Sequence, residues 1–112
     1  MSNELEKTTE EIISQTAAAA VLSVEAVGSL TGGPLVKLPN CYEIYKGIVL
    51  TEDKNKLGYT IDVYLRIKYG EKIPQTAFAV QESVKAAIDD IGGINISAIN
   101  INIQGVDFPE EQ

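Results

Sequence analysis

The side chains able to do chemistry in this chain are few, and their spacing does not bring them together. The 112 residues contain no histidine and a single cysteine, Cys41. One cysteine excludes an internal disulfide and any cysteine-based metal site. Cys41 has no histidine or lysine-rich setting to lower its pKa, so it reads as a structural thiol rather than a nucleophile. The adjacent acids Asp89-Asp90 fall on neighbouring directions of a helix instead of converging on one site. Gly32-Gly33 lacks the glycine spacing, lysine and hydroxyl of a phosphate-binding loop. The expectation is a protein that is not an enzyme, with no catalytic, cofactor-binding or metal-ligating residues and no cofactor.

Charge offers a second kind of chemistry. The net charge is −7, yet residues 37–72 hold seven of the nine basic side chains. An acidic chain repels phosphate backbones at long range, although a local basic patch can still bind them. Here the patch is interleaved with Glu43, Glu52, Asp53, Asp62 and Glu71, the pattern of a solvated hairpin face. Arg66 and Lys68 are its candidates for contact with a nucleic acid. The acidic polar start, Ser2 to Lys7, does not resemble a secretory signal. The longest apolar run, Ala17 to Leu22, is far short of the ~20 residues of a membrane span. A cytoplasmic location follows as an expectation.

The elements that would position these residues are legible from periodicity. Thr8 and Glu11 form a capping-box pattern, and a helix is predicted from there to Val27, stopped by Gly28. Its apolar stripe is Ile12, Ile13, Thr16, Ala20, Ser23, Val24 and Val27, with Val21 and Leu22 projecting away. Two glycines and two prolines make 31–40 a loop. A strand is predicted over 42–52 with Gly47 as a bulge or a site of close approach. A charged turn joins it in a hairpin to the alternating strand 59–69, where Tyr59, Ile61, Val63, Leu65, Ile67 and Tyr69 share the core face. Tyr64, Arg66 and Lys68 share the other. A second helix over 74–91 places Ile73, Ala77, Val80, Val84, Ala87, Ile88 and Ile91 on one side and Phe78 on its polar side, either covered by a folded-over loop or open to a partner. The last strand changes phase: Ile94, Ile96 and Ala98 alternate in one register, Ile99, Ile101 and Ile103 in the other. It is predicted to start near Ser97.

Helix, strand pair, helix, strand gives an α+β, two-layer sandwich in α-β-β-α-β order. Its expected three-stranded sheet carries both helices on one face, KH-like in outline. Residues 8–108 form the single domain, after a disordered segment 1–7 and before an acidic tail 109–112.

Three motifs in this order resemble the alkaline shock protein family of Gram-positive bacteria, also called the envelope-stress-response or general stress family. They are Ile61-Asp62-Val63-Tyr64-Leu65-Arg66-Ile67-Lys68-Tyr69-Gly70, then Val80-Gln81-Glu82-Ser83-Val84-Lys85, then Gly93-Ile94-Asn95-Ile96 leading into Ile99 to Val106. Ser29 stands where the family commonly has valine after the helix-ending glycine. The resemblance runs from about Thr9 to Phe108. It implies a non-catalytic cytoplasmic protein supporting cell-envelope homeostasis, self-associating as a homo-oligomer and held peripherally at the membrane by an anchoring protein partner. The expected contact residues are Phe78, Tyr64, Arg66, Lys68, Val21 and Leu22. The alternative is RNA binding through a KH-like sheet, although no Gly-x-x-Gly backbone clamp is present between helices.

Overall fold

The computed structural model describes residues 8–33, 40–53, 55 and 58–109. The expectations for 1–7, for loop residues 34–39, for the turn lysines Lys54 and Lys56 and for the tail 110–112 lie outside the described residues. Seven elements follow in order: α1 (Thr9–Leu22), β1 (Val27–Leu30), β2 (Cys41–Tyr45), β3 (Ile48–Asp53), β4 (Gly58–Lys68), α2 (Ile73–Ile91) and β5 (Ile96–Asp107).

The class is α+β as expected, but the sheet has five strands rather than three. β4 is its centre. One edge of β4 pairs antiparallel with β3 over Gly58–Val63 and then with β1 over Leu65–Ile67. The other edge pairs parallel with β5 along nearly its whole length. β2 extends the sheet beyond β3. Eleven alternating residues are long enough to serve three partners, and that is why β4 organises the fold. Its inward row, Ile61, Val63, Leu65 and Ile67, is buried as predicted. Each such side chain contributes about 1.5–3 kcal/mol relative to exposure.

Two elements of the expected order need correction. The helix predicted to reach Val27 ends at Leu22. The Ser23 hydroxyl bonds the Ala20 carbonyl at 2.7 Å, and a few residues later β-branched Val27 enters β1 opposite Ile67. Gly28 is therefore no helix stop: it sits at a register irregularity where a Cβ would strike the Asp107 carboxylate. The strand predicted over 42–52 is a hairpin, β2 and β3, reversed at Lys46-Gly47. Gly47 has φ +87°, and an added Cβ would meet the Thr31 carbonyl oxygen at 2.6 Å. Only glycine meets both demands, so Gly47 is the close approach expected of it but sits in a turn instead of a bulge.

The phase of α1 also differs. Its N-terminus carries the predicted capping box: Glu11 N–H donates to Thr8 Oγ1 at 3.1 Å and Thr8 N–H to Glu11 Oε1 at 2.9 Å. Its core face, however, is Ile13, Ala17, Ala18, Ala20 and Val21, while Ile12 and Leu22 are exposed. Val21, expected to project outward, is fully buried. The alanines let the helix approach α2 and the sheet closely, so burial spreads across a small-residue surface that the largest side chains do not mark.

α2 follows its predicted span within one residue and buries Val80, Val84 and Ile88. Thr76 is buried in place of half-buried Ala77, and the end members Ile73 and Ile91 are exposed. Tyr69, placed on the core face by alternation, lies past the end of β4 and is exposed, stacked on Phe108 with ring centroids 5.1 Å apart. Both helices and the inward faces of β3 and β4 share one core.

Candidate interaction surface

The sheet face away from the helices is polar and ordered in rows. Register pairs Asp62 with Asn100 and Tyr64 with Asn102 across β4 and β5. Asn100 Nδ2 donates to Asp62 Oδ1 at 3.1 Å, and Asn102 Nδ2 to the Val63 carbonyl at 3.2 Å.

Tyr64, an expected contact residue, is half-buried on this face. Gly33 lies so close that an added Cβ would stand 3.2 Å from its ring. The Glu43 carboxylate accepts the Gly33 N–H at 2.8 Å and the Gly47 N–H at 3.0 Å. Burial, then the negative charges of Asp62 and Glu43, push the Tyr64 phenol above its ordinary pKa. At neutral pH it is an uncharged ring packed beside Gly33.

Arg66 is committed within the fold. Its Nε donates to Asp107 Oδ1 at 2.6 Å and its Nη2 to the Val106 carbonyl at 2.6 Å. Ser29 Oγ donates to the other Asp107 oxygen at 2.8 Å. One carboxylate thus ties β1, β4 and β5 together. The Arg66 hydrogen bond first, and the Ser29 hydroxyl second, hold the Asp107 carboxyl below the usual carboxylate range. Sequence reading did not find this clamp, and its signal was two glycines, Gly28 and Gly105, each lacking the Cβ that would collide with it. Lys68 is exposed and Val21 is buried. Arg66 and Lys68 therefore do not present themselves alike.

The exposed apolar residues lie elsewhere. Phe78 is 63% exposed and Leu22 49%. On α2, Phe78 shares a side with Gln81 and Lys85, which follow it one and two helical turns later. Gln81 Nε2 reaches the Ile99 carbonyl of β5 at 2.8 Å. Phe78 therefore stands on the side of α2 that faces β5. Between them runs an open groove of about 360 Å³, lined by Gln81, Glu82, Lys85 and Asp89 on one side and by residues 94–99 on the other. Asp89 is paired with Lys85 at 3.4 Å.

Two other candidates for chemistry resolve locally. Cys41 Sγ lies 3.3 Å from Thr51 Oγ1 across the hairpin. Tyr59 donates its hydroxyl proton to Glu10 at 2.8 Å, and its phenol is held far above the ordinary range, by burial first and by that bond second. Among the described residues no three acidic, cysteine or histidine side chains gather as a metal site, and no helix is long and apolar enough to cross a membrane.

Comparison with known proteins gives this surface its context. The model for the alkaline shock protein 23 family, of cell envelope-related function, matches residues 2–108. Spy1535 of Streptococcus pyogenes is 32% identical over 87 residues, 78% of this chain and 67% of that protein. YqhY of Bacillus subtilis is 29% identical over 99 residues, 88% of this chain and 73% of its own. A solved structure of a MamM CTD variant aligns with a TM-score of 0.50 at 12% identity, covering 95% of this chain and 99% of that one. That likeness concerns the fold alone. With its motifs in family order and the family model spanning nearly its whole length, this chain belongs to the alkaline shock protein family, whose function is cell envelope-related.

Proposed function

We propose that the chain is a non-catalytic cytoplasmic scaffold of cell-envelope stress homeostasis, acting through residues 8–108 as one unit. It self-associates and is brought to the membrane by an anchoring protein partner. The observation that carries this reading is Phe78, a large aromatic side chain 63% exposed on α2, one helical turn before the Gln81 that reaches β5. An aromatic left in water fits an interface better than it fits a solvated helix face. The RNA-binding alternative draws less support, because Arg66 already spends its guanidinium on Asp107 and Val106.

The test is a gentle-detergent pull-down of the tagged chain from its native cells, analysed for protein and RNA. The expected result is a membrane protein recovered together with untagged copies of this chain, with RNA at background. Nuclease-sensitive recovery of RNA or ribosomal proteins overturns the scaffold and turns attention to Lys68 and its neighbours.

A further inference from the structure

β5 is an edge strand whose central stretch, 98–103, carries none of the usual guards. Natural edges are blunted by charge, proline, short length or bulges, because their unpaired N–H and C=O groups recruit other strands. The opposite edge, β2, is five residues long, carries Glu43 and has an irregular register. β5 is twelve residues long, and from Ile91 to Val106 the chain has no charged residue and no proline. Among the described residues no strand pairs with its outer side.

Its register with β4 shifts at Ser97 and again at Gln104, leaving an uninterrupted ladder over 98–103. Within it, Ile99-Asn100-Ile101-Asn102-Ile103 is a palindrome about Ile101. The Ile99 carbonyl is reached by Gln81 from α2, so it lies on the outer edge. Strand alternation then puts the backbone groups of Ile101 and Ile103 on that edge too.

We infer that β5 pairs antiparallel with β5 of a second copy of this chain, about a two-fold axis at Ile101. In that register Ile101 meets Ile101 of the partner copy, and Ile99 meets Ile103. Every outward N–H and C=O from Ile99 to Ile103 therefore finds its counterpart. Because paired residues share a face, isoleucine lies beside isoleucine on the helix side and Asn100 beside Asn102 on the polar side. A palindromic strand is what an isologous two-fold contact requires. Its neutrality lets two chains of net charge −7 meet where neither carries charge. Ile99, Ile101 and Ile103, half-buried in one copy, become interior to a sheet continuous across both copies. Gln81 releases the Ile99 carbonyl to a strand N–H. The α2–β5 connection reverses the chain, so Phe78, one turn before Gln81, stands toward Ile101 and hence toward the axis.

This inference rests on the self-association proposed above and names its seam. In the antiparallel pair, Asn100 and its partner's Asn102 form a non-hydrogen-bonded pair with Cα atoms about 4.5 Å apart, within disulfide reach. Two Asn100 positions are about 7–8 Å apart on the diagonal. Chains with Asn100→Cys and with Asn102→Cys, each also carrying Cys41→Ser, are mixed and oxidised. The seam predicts a disulfide-linked dimer in the mixture and little in either variant alone. Asn100→Lys with Asn102→Lys, on the exposed face, sets like charges opposite one another twice and raises the dimer dissociation constant about tenfold. Equal cross-linking in the single variants, or a dimer indifferent to the lysines, overturns this seam while the scaffold reading stands. A wild-type chain that stays single at all concentrations overturns both.

Discussion

Asp107 accepts from two different strands, Arg66 on β4 and Ser29 on β1, while itself ending β5. Its depressed pKa makes it a stabilising group whose effect is complete above the ordinary carboxylate value near pH ~3.9. The effect is lost as pH falls through the lower folded value. The stability difference between wild type and Asp107→Asn, followed by urea unfolding, should be clear at pH 7 and vanish in acid. With Arg66 39% exposed, salt should narrow that difference as well. An acid-independent difference would make the clamp a matter of packing instead. At this scale the sequence showed which residues carry charge but not whom they meet. Arg66 and Asp107 are 41 positions apart, and alternation on β4 reports a face, not a partner on β5.

Among the elements, α2 and β4 were legible because apolar and polar residues alternate sharply along them. α1 was not. Its run of Ala17 to Ala20 offers almost no contrast between faces, and the large residues Ile12 and Leu22 lie on the exposed side. Val21→Ala should therefore cost about 2 kcal/mol, while Leu22→Ala should change stability by less than about 0.5 kcal/mol. Thermal unfolding of the two variants checks the order, and equal losses would return α1 to its predicted phase. The hairpin of β2 and β3 was hidden because the reversal takes only Lys46-Gly47, too short a break in an apolar run to read as a turn. Gly47→Ala forces a side chain onto positive φ and against the Thr31 carbonyl, and should destabilise by more than about 1 kcal/mol. The phase change at Ser97 was visible in sequence and is a register shift in β5. That β5 runs parallel to β4 was not visible, since the pairing depends on where α2 returns the chain.

At the scale of the molecule, the core is sealed by two helices on one side, while the other side and the β5 edge remain available for contact. Family membership gives the context of the cell envelope, and the part proposed for the chain within it is to meet other copies and an anchoring protein. Phe78 is the residue on which this turns, since it contributes nothing to the buried core. Sedimentation velocity over a concentration series, on wild type and Phe78→Glu, is the most direct measurement. The wild type should shift to larger species as concentration rises. The variant, with an unchanged circular dichroism spectrum, stays closer to the single-chain mass. A wild-type chain that sediments as a single copy throughout the series would contradict self-association.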